Sequence, residues 1–280
     1  MFRNVLVGVD GRQGGRDAIA LALHLTDSDS APTLANVHSG AMRSVDAVSP
    51  GALSADRDRS HKLLDEEREH AGIQAELVSV VSRSPGRGLH QQAEEQDTDL
   101  IVVGSCSRGV FGRTMLGDDT RAALNGAPCA VAVASQGYAE NPRPIAKVGV
   151  GYDSSPESKT ALAAAQDLAA STRASVVALE VVSIPTYAYT GLMPPALGES
   201  IDALLKEATS RMRSLPDVEG RAVYGLAGEE LAAFGKDLDL LIVGSRGYGP
   251  VKRLVMGSTS DYLERHAHCS LLVLPRVAGD

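Results

Sequence analysis

Asp97-Thr-Asp-Leu-Ile-Val-Val-Gly-Ser105 and Asp237-Leu-Asp-Leu-Leu-Ile-Val-Gly-Ser245 are two versions of one segment, 140 residues apart. Each is an aliphatic run too short for a helix, followed by Gly-Ser. That is the pattern of a strand buried on both faces that ends in a sharp turn. The same offset pairs Gly109 with Gly249, Arg113 with Arg253, Gly117 with Gly257, Cys129 with Cys269 and Val133 with Val273. Near the start, Asn4-Val-Leu-Val-Gly-Val-Asp10 matches Lys147-Val-Gly-Val-Gly-Tyr-Asp153, with the offset grown to 143. A repeat this long marks duplicated domains, not a solenoid of small units. The 280-residue length agrees. The predicted domains are 1–138 and 145–280, divided where Gly137, Asn141, Pro142 and Pro144 cluster.

Reading outward, the first half gives strands at 4–9, 33–38, 76–81, 100–103 and 130–134, with helices at 18–25, 56–71, 89–96 and 121–125. The helix at 56–71 is dense in Asp, Glu and Arg and reads as solvated. The second half repeats the order: strands at 148–151, 175–182, 221–224, 240–243 and 271–274, helices at 157–170, 200–213, 229–235 and 258–265. Strict alternation with apolar strands predicts an α/β protein of two tandem, doubly wound parallel sheets. Such sheets bind ligands beyond the carboxyl ends of their strands, where the strand order reverses.

Composition narrows the function. Lys and Arg total 27 against 35 Asp and Glu, for a net charge of −8. An acidic chain without a basic tract argues against nucleic acid and anionic membranes as partners. Aromatic residues are 4% and Trp is absent, so stacking platforms for single strands are not expected. Three cysteines exclude a paired disulfide framework and suit a reducing, cytoplasmic setting. No apolar run approaches the ~20 residues of a membrane span, and the start reads as a strand, not a signal peptide.

The most informative loop is Gly244-Ser-Arg-Gly-Tyr-Gly-Pro-Val-Lys-Arg-Leu-Val-Met-Gly-Ser-Thr-Ser260, spaced Gly-x2-Gly-x9-Gly-Ser. Gly244 and Gly247 allow a tight turn and close approach of a phosphate. Gly257 and Ser258 open a helix whose free N–H groups and dipole attract anions, with Thr259 and Ser260 adding hydroxyls. Arg246 either contacts phosphate or caps the loop. A glycine turn with a serine cap would explain the same residues without any ligand. Other candidates are weaker. Gly149-Val-Gly-Tyr-Asp-Ser154 lacks the third glycine of a dinucleotide fingerprint, and no Gly-x4-Gly-Lys-Ser/Thr occurs. His266 and His268 read as cations at a helix end. Cys129 and Cys269 read as small buried residues, and Cys106 as a candidate reactive thiol.

On these motifs the chain resembles the universal stress protein family in its tandem form. Gly244, Gly247, Gly257 and Ser258 match the pattern of its ATP-binding branch, with Asp153 upstream. The resemblance covers nearly the whole chain, twice. It implies an adenine-nucleotide-binding, α-hydrolase-like fold with strand order 3-2-1-4-5 in each half, which sets Asp153 and Gly244 on one cleft. It implies that Asp153 and Val181 hold adenosine, while the glycines and the hydroxyls of Ser258 and Ser260 hold ribose and phosphates. The bound species would be ATP with Mg²⁺, hydrolysed slowly at most, in a protein that acts in stress signalling through an unidentified protein partner. The resemblance further implies that the fifth strands, 130–134 and 271–274, pair around a pseudo-twofold axis, with room for homodimers; a flexible replacement of the linker 136–146 is then expected to keep this pairing.

The first half departs from the pattern. Asp10, Gly104, Gly117 and Thr120 keep their places, but Ser107 replaces the second glycine and Asp118, followed by Asp119, the hydroxyl. Two like charges ~4 Å apart cost about 4 kcal/mol at an effective dielectric of ~20, more than the roughly 1.5–3 kcal/mol that one charged hydrogen bond returns. The first domain is therefore expected to bind ATP weakly or not at all, unless a divalent cation bridges Asp118 to the phosphates. Two alternatives stay open. An adenylating enzyme would need a signature loop after its first strand, where this chain has Asp10-Gly-Arg-Gln-Gly14 and Asp153-Ser-Ser-Pro-Glu157. A nucleotide-free interaction protein would carry both clefts as relics, and a binding assay separates it from the ATP-binding reading. The long loops 40–55 and 184–198 would cover the clefts or meet partners.

Overall fold

All ten predicted strands join one sheet in the computed structural model, which describes residues 1–39, 50–105, 118–183, 195–245 and 253–276. The first half runs β1 (Val5–Gly8), α1 (Gln13–Leu25), β2 (Thr33–His38), α2 (Pro50–Ala71), β3 (Glu76–Val81), α3 (Pro85–Glu95), β4 (Leu100–Gly104), α4 (Asp118–Leu124) and β5 (Ala130–Ala134). The second runs β6 (Lys147–Gly151), α5 (Pro156–Thr172), β7 (Ser175–Ser183), α6 (Pro195–Arg213), β8 (Glu219–Gly225), α7 (Ala227–Phe234), β9 (Leu240–Gly244), α8 (Ser258–His266) and β10 (Ser270–Leu274).

The strand order is β3-β2-β1-β4-β5-β10-β9-β6-β7-β8. Each half is parallel throughout and has the local order 3-2-1-4-5 that the resemblance implied. Within the sheet the halves join through β5 and β10, which pair antiparallel with Leu271 opposite Val133, Leu272 opposite Ala132 and Val273 opposite Val131. With the repeat offset of 140, Ala132 and Leu272 are equivalent positions facing each other, so the pseudo-twofold axis passes through that pair. Both strands are buried along their whole length, because each protects the edge the other would expose.

Helices cover both faces. The core under α1, α2, α5 and α6 runs without a break from Leu21 and Leu34 through Ala132 and Leu272 to Val150 and Met212. The opposite core joins α3, α4, α7 and α8 through Leu124, Val131, Val273 and Leu263. Residue alternation along the strands feeds the two cores in turn.

Two expectations need amendment. The helix read as solvated buries a stripe of Ser60, Leu64 and Glu67. Glu67 lies against α1, where it accepts hydrogen bonds from the part-exposed Arg16 at 3.0 and 3.1 Å, so the charged helix packs by burying a carboxylate that α1 pairs. The interdomain run is also not a free connector. Asp17 of α1, fully buried, accepts the backbone N–H groups of Gly137 at 2.9 Å and Ala139 at 2.8 Å, and Tyr138 donates its hydroxyl to the Arg143 carbonyl. Among the described residues no helix is long and apolar enough to cross a membrane. Loops 40–49 and 184–194 lie outside the described residues, as does Cys106.

Candidate functional site

In the second domain the strand order reverses at β6, which pairs with β7 on one side and β9 on the other. The chain leaves β6 and β9 toward opposite faces and leaves a crevice between them. A cleft of about 790 Å³ opens there and is lined, among others, by Asp153, Val181, Gly244, Gly257, Ser258 and Thr259. That size falls in the range of small-molecule sites.

Asp153 follows β6 and is held by the start of α5. Its Oδ1 accepts the Ser155 N–H at 3.0 Å, and its own N–H donates to the Ser158 hydroxyl at 3.3 Å. Ser155 caps α5 by accepting the Ser158 N–H at 3.1 Å, and Pro156 takes the first helical position. Burial pushes the Asp153 carboxyl up, but the hydrogen bonds from Ser155 and Ser158 outweigh it and hold the carboxyl below the ordinary aspartate range. Asp153 is thus a charged acceptor at neutral pH, fixed before any ligand arrives. Val181 lines the opposite wall, two residues before β7 ends at Ser183 rather than at its last residue.

The glycines divide by role. A Cβ on Gly244 would lie 2.6 Å from the Glu157 Cβ and 2.9 Å from the Glu157 carbonyl, so glycine is required there for α5 to pack on β9. The first half repeats this with less room: a Cβ on Gly104 would lie 1.9 Å from the Gly14 carbonyl oxygen. At both positions glycine is needed for helix packing, and Gly244 also lines the cleft. Gly149, from the incomplete dinucleotide fingerprint, has Leu238 where a Cβ would stand, so it too serves packing. Gly257 is the N-cap of α8. Its N–H donates to the Ser260 hydroxyl at 2.9 Å, and that hydroxyl donates back to the Gly257 carbonyl at 3.2 Å. Ser260 is buried and engaged in the cap, and it also lines the cleft. Ser258 is exposed on the cleft, and the first-turn N–H groups of α8 lack helical partners. Arg246 and Gly247 lie outside the described residues.

Sequence reading missed Glu157, Ser245 and Arg276. Arg276, just past β10, lines the cleft with its Nε 3.6 Å from the carboxylate of Glu157. Ser245 lines it with a buried hydroxyl that has no hydrogen-bond partner among the described residues. No local motif marks these residues; only the closing of the sheet brings the end of β10 beside the end of β9.

The first domain sets out the same scaffold with different chemistry. Asp10 accepts the Arg12 N–H at 3.0 Å, and its second oxygen is 3.7 Å from the Arg12 guanidinium, with no serine in the role of Ser158. Thr120 is buried and donates to the Gly104 carbonyl at 3.1 Å. Gly117 and the loop before it lie outside the described residues, as do the side chains of Asp118 and Asp119. Elsewhere, His266 stacks on Tyr262 with ring centroids 4.1 Å apart in the last turn of α8. Burial pushes the thiols of Cys129 and Cys269 up to about 12, leaving them protonated and inert.

Comparison with known proteins bears on both halves. The model of the universal stress protein family matches residues 1–135 and again 144–275. A universal stress protein of Mycobacterium tuberculosis is 25% identical over 222 residues, 73% of each chain. Another from that organism is 26% identical over 234 residues, 80% of this chain and 79% of its own. Among solved structures, a universal stress protein from Archaeoglobus fulgidus superposes with a TM-score of 0.67 at 17% identity, covering 98% of both chains. A functionally unknown protein from Pseudomonas aeruginosa gives 0.63 at 17% identity, covering 98% of this chain and 92% of that one.

Proposed function

The chain belongs to the universal stress protein family in both of its halves, and on that basis we propose that its second domain binds an adenine nucleotide, ATP with Mg²⁺, and signals through nucleotide-dependent shape or partner binding, with hydrolysis slow at most. The observation that carries this reading is the convergence of Asp153, Val181, Ser245, Gly257, Ser258 and Arg276 on one cleft from β6, β7, β9, α8 and the end of β10.

Each part has a matching task. The charged Asp153 accepts hydrogen bonds from the nucleoside, and Val181 packs against the base. The Ser245 hydroxyl, without a partner among the described residues, supplies a buried donor, whose desolvation a bound polar group would offset. The α8 N-terminus and Ser258 meet the phosphates. Arg276 adds a guanidinium that Glu157 neutralises and orients in the free protein; phosphates would share it. Among the described residues no three His, Cys, Asp or Glu side chains form a metal-ligating group, so the cation would be carried by nucleotide phosphates and water.

Titration calorimetry of Mg-ATP into the full chain tests the reading. We expect one site per chain, abolished by Gly257→Glu, which places a carboxylate at the α8 N-cap, and weakened by Arg276→Gln more for ATP than for AMP. A second site of similar affinity in the cleft of the first domain would overturn the charge argument about Asp118. Absence of binding would overturn the proposal and favour a nucleotide-free interaction protein.

A further inference from the structure

A second cavity, of about 780 Å³, opens at the seam between the domains, lined by α3 and α4 of the first domain and by Arg253 of the second. Three arginines face it, Arg87, Arg121 and Arg253, against two carboxylates: Glu94 in the lining and Asp261, which pairs with Arg121. In a chain of net charge −8 this is a local reversal of sign.

The guanidiniums are positioned by the fold. Arg253 donates from Nη1 to the Gly126 carbonyl at 3.1 Å, and its Nη2 lies 2.6 Å from Glu94. Its backbone neighbour is fastened across the seam: Gly126 N–H donates to the Leu254 carbonyl at 2.9 Å, and Leu254 N–H to the Ala127 carbonyl at 2.9 Å. Arg121 is anchored by Asp261 of α8 at 2.6 Å. Arg87, in the first turn of α3, is exposed and has no ion pair among the described residues. His90 lies with Nε2 2.7 Å from the Ala123 carbonyl, and burial lowers its pKa, so it adds a fixed neutral ring and no further charge. Each arginine carries five N–H donors in a planar fork, so the two anchored ones keep donors to spare. One unpaired and two partly engaged forks around one cavity suit an anion with several charges and many acceptor oxygens.

We propose that the seam cavity is a binding site for a pyrophosphate or oligophosphate group, held by Arg87, Arg121 and Arg253 and separate from the nucleotide cleft. Because its lining comes from both domains, such a ligand tightens the seam, and the intact chain melts at a higher temperature with it than without.

The test is calorimetric titration of inorganic pyrophosphate into the full chain, the Gly257→Glu variant and an Arg87→Glu variant, with thermal melts of each. Arg87 is exposed and makes no ion pair among the described residues, so its replacement leaves the fold intact, as the melts without ligand will verify. The expected result is binding that survives Gly257→Glu, falls at least about tenfold in Arg87→Glu and weakens steeply with salt. Binding lost in Gly257→Glu would put pyrophosphate in the nucleotide cleft and overturn the proposal. So would binding indifferent to Arg87→Glu, or none in the wild-type chain.

Discussion

Glu264 has a carboxyl that folding removes from water. The residue is 3% exposed, and its Oε2 has no hydrogen-bond partner among the described residues. Burial, reinforced by neighbouring Asp261, raises its pKa to about 7, against the opposing pull of Arg121 and Arg265. Its equivalent in the first half is Leu124, fully buried, so the duplication has left a carboxyl where the partner domain keeps a leucine. The raised pKa means that the folded state binds the proton more tightly than the unfolded chain does. Stability is therefore lost as pH rises from the ordinary glutamate value toward about 7 and stays lower above it. Glu264→Gln is expected to stabilise the protein by on the order of 2 kcal/mol at pH 8 and by little at pH 4.5, as read from urea unfolding at both values. An equal effect at both would show that the carboxyl titrates as it does in water. Nothing in the local sequence announced this residue, since Tyr-Leu-Glu-Arg-His is ordinary helix composition. The cysteines were legible because their residue type is usually buried. Ser260 was legible only as a hydroxyl, not as the hydroxyl that closes its own cap.

At the level of elements, the close approach of α5 to β9 and of α1 to β4 sets the cleft geometry, since each helix starts beside the aspartate that follows its preceding strand. Gly244→Ala forces a methyl group against the Glu157 backbone, which cannot swing away as a side chain would. The expected cost is about 1–3 kcal/mol, with a larger loss for Gly104→Ala, where the gap to the Gly14 carbonyl is narrower. Comparative denaturant unfolding checks the order, and the reverse order would mean that α1 yields more readily than α5. The sequence pattern placed every one of these elements because strands buried on both faces read as aliphatic runs. Their ends were less legible. The helix α3 starts at Pro85 and not at Leu89, as its first turn is built of proline and glycines that carry no periodic signal. The tie from Asp17 to residues 137–139 was invisible for another reason: its partners are 120 and 122 residues away.

For the molecule as a whole, the seam decides that two domains form one sheet. Its axis residues are unlike, Ala132 against Leu272, and so are the equivalent Arg121 and Asp261, which form an ion pair across it. Two copies of either half would set leucine on leucine with aspartate on aspartate, or alanine on alanine with arginine on arginine. Ala132→Leu is expected to overpack the axis and cost about 1–3 kcal/mol, and Leu272→Ala to leave a hole costing about 2–5 kcal/mol. The exchanged double variant should recover most of both losses, because it restores the volume in the same core. A double variant whose losses simply add would show that the two side chains do not share a space. The sequence by itself determined the duplication, the α/β alternation, the strand order through a family resemblance, and the asymmetry between a complete and an altered glycine-loop motif; all are written in local residue order. Only the tertiary structure decided that Gly104, Gly149 and Gly244 serve packing, that Arg276 and Ser245 reach the cleft, that Ser260 closes its own cap, and that three arginines meet at the seam. Those facts depend on distances between residues far apart in the chain, and chain order alone does not set such distances.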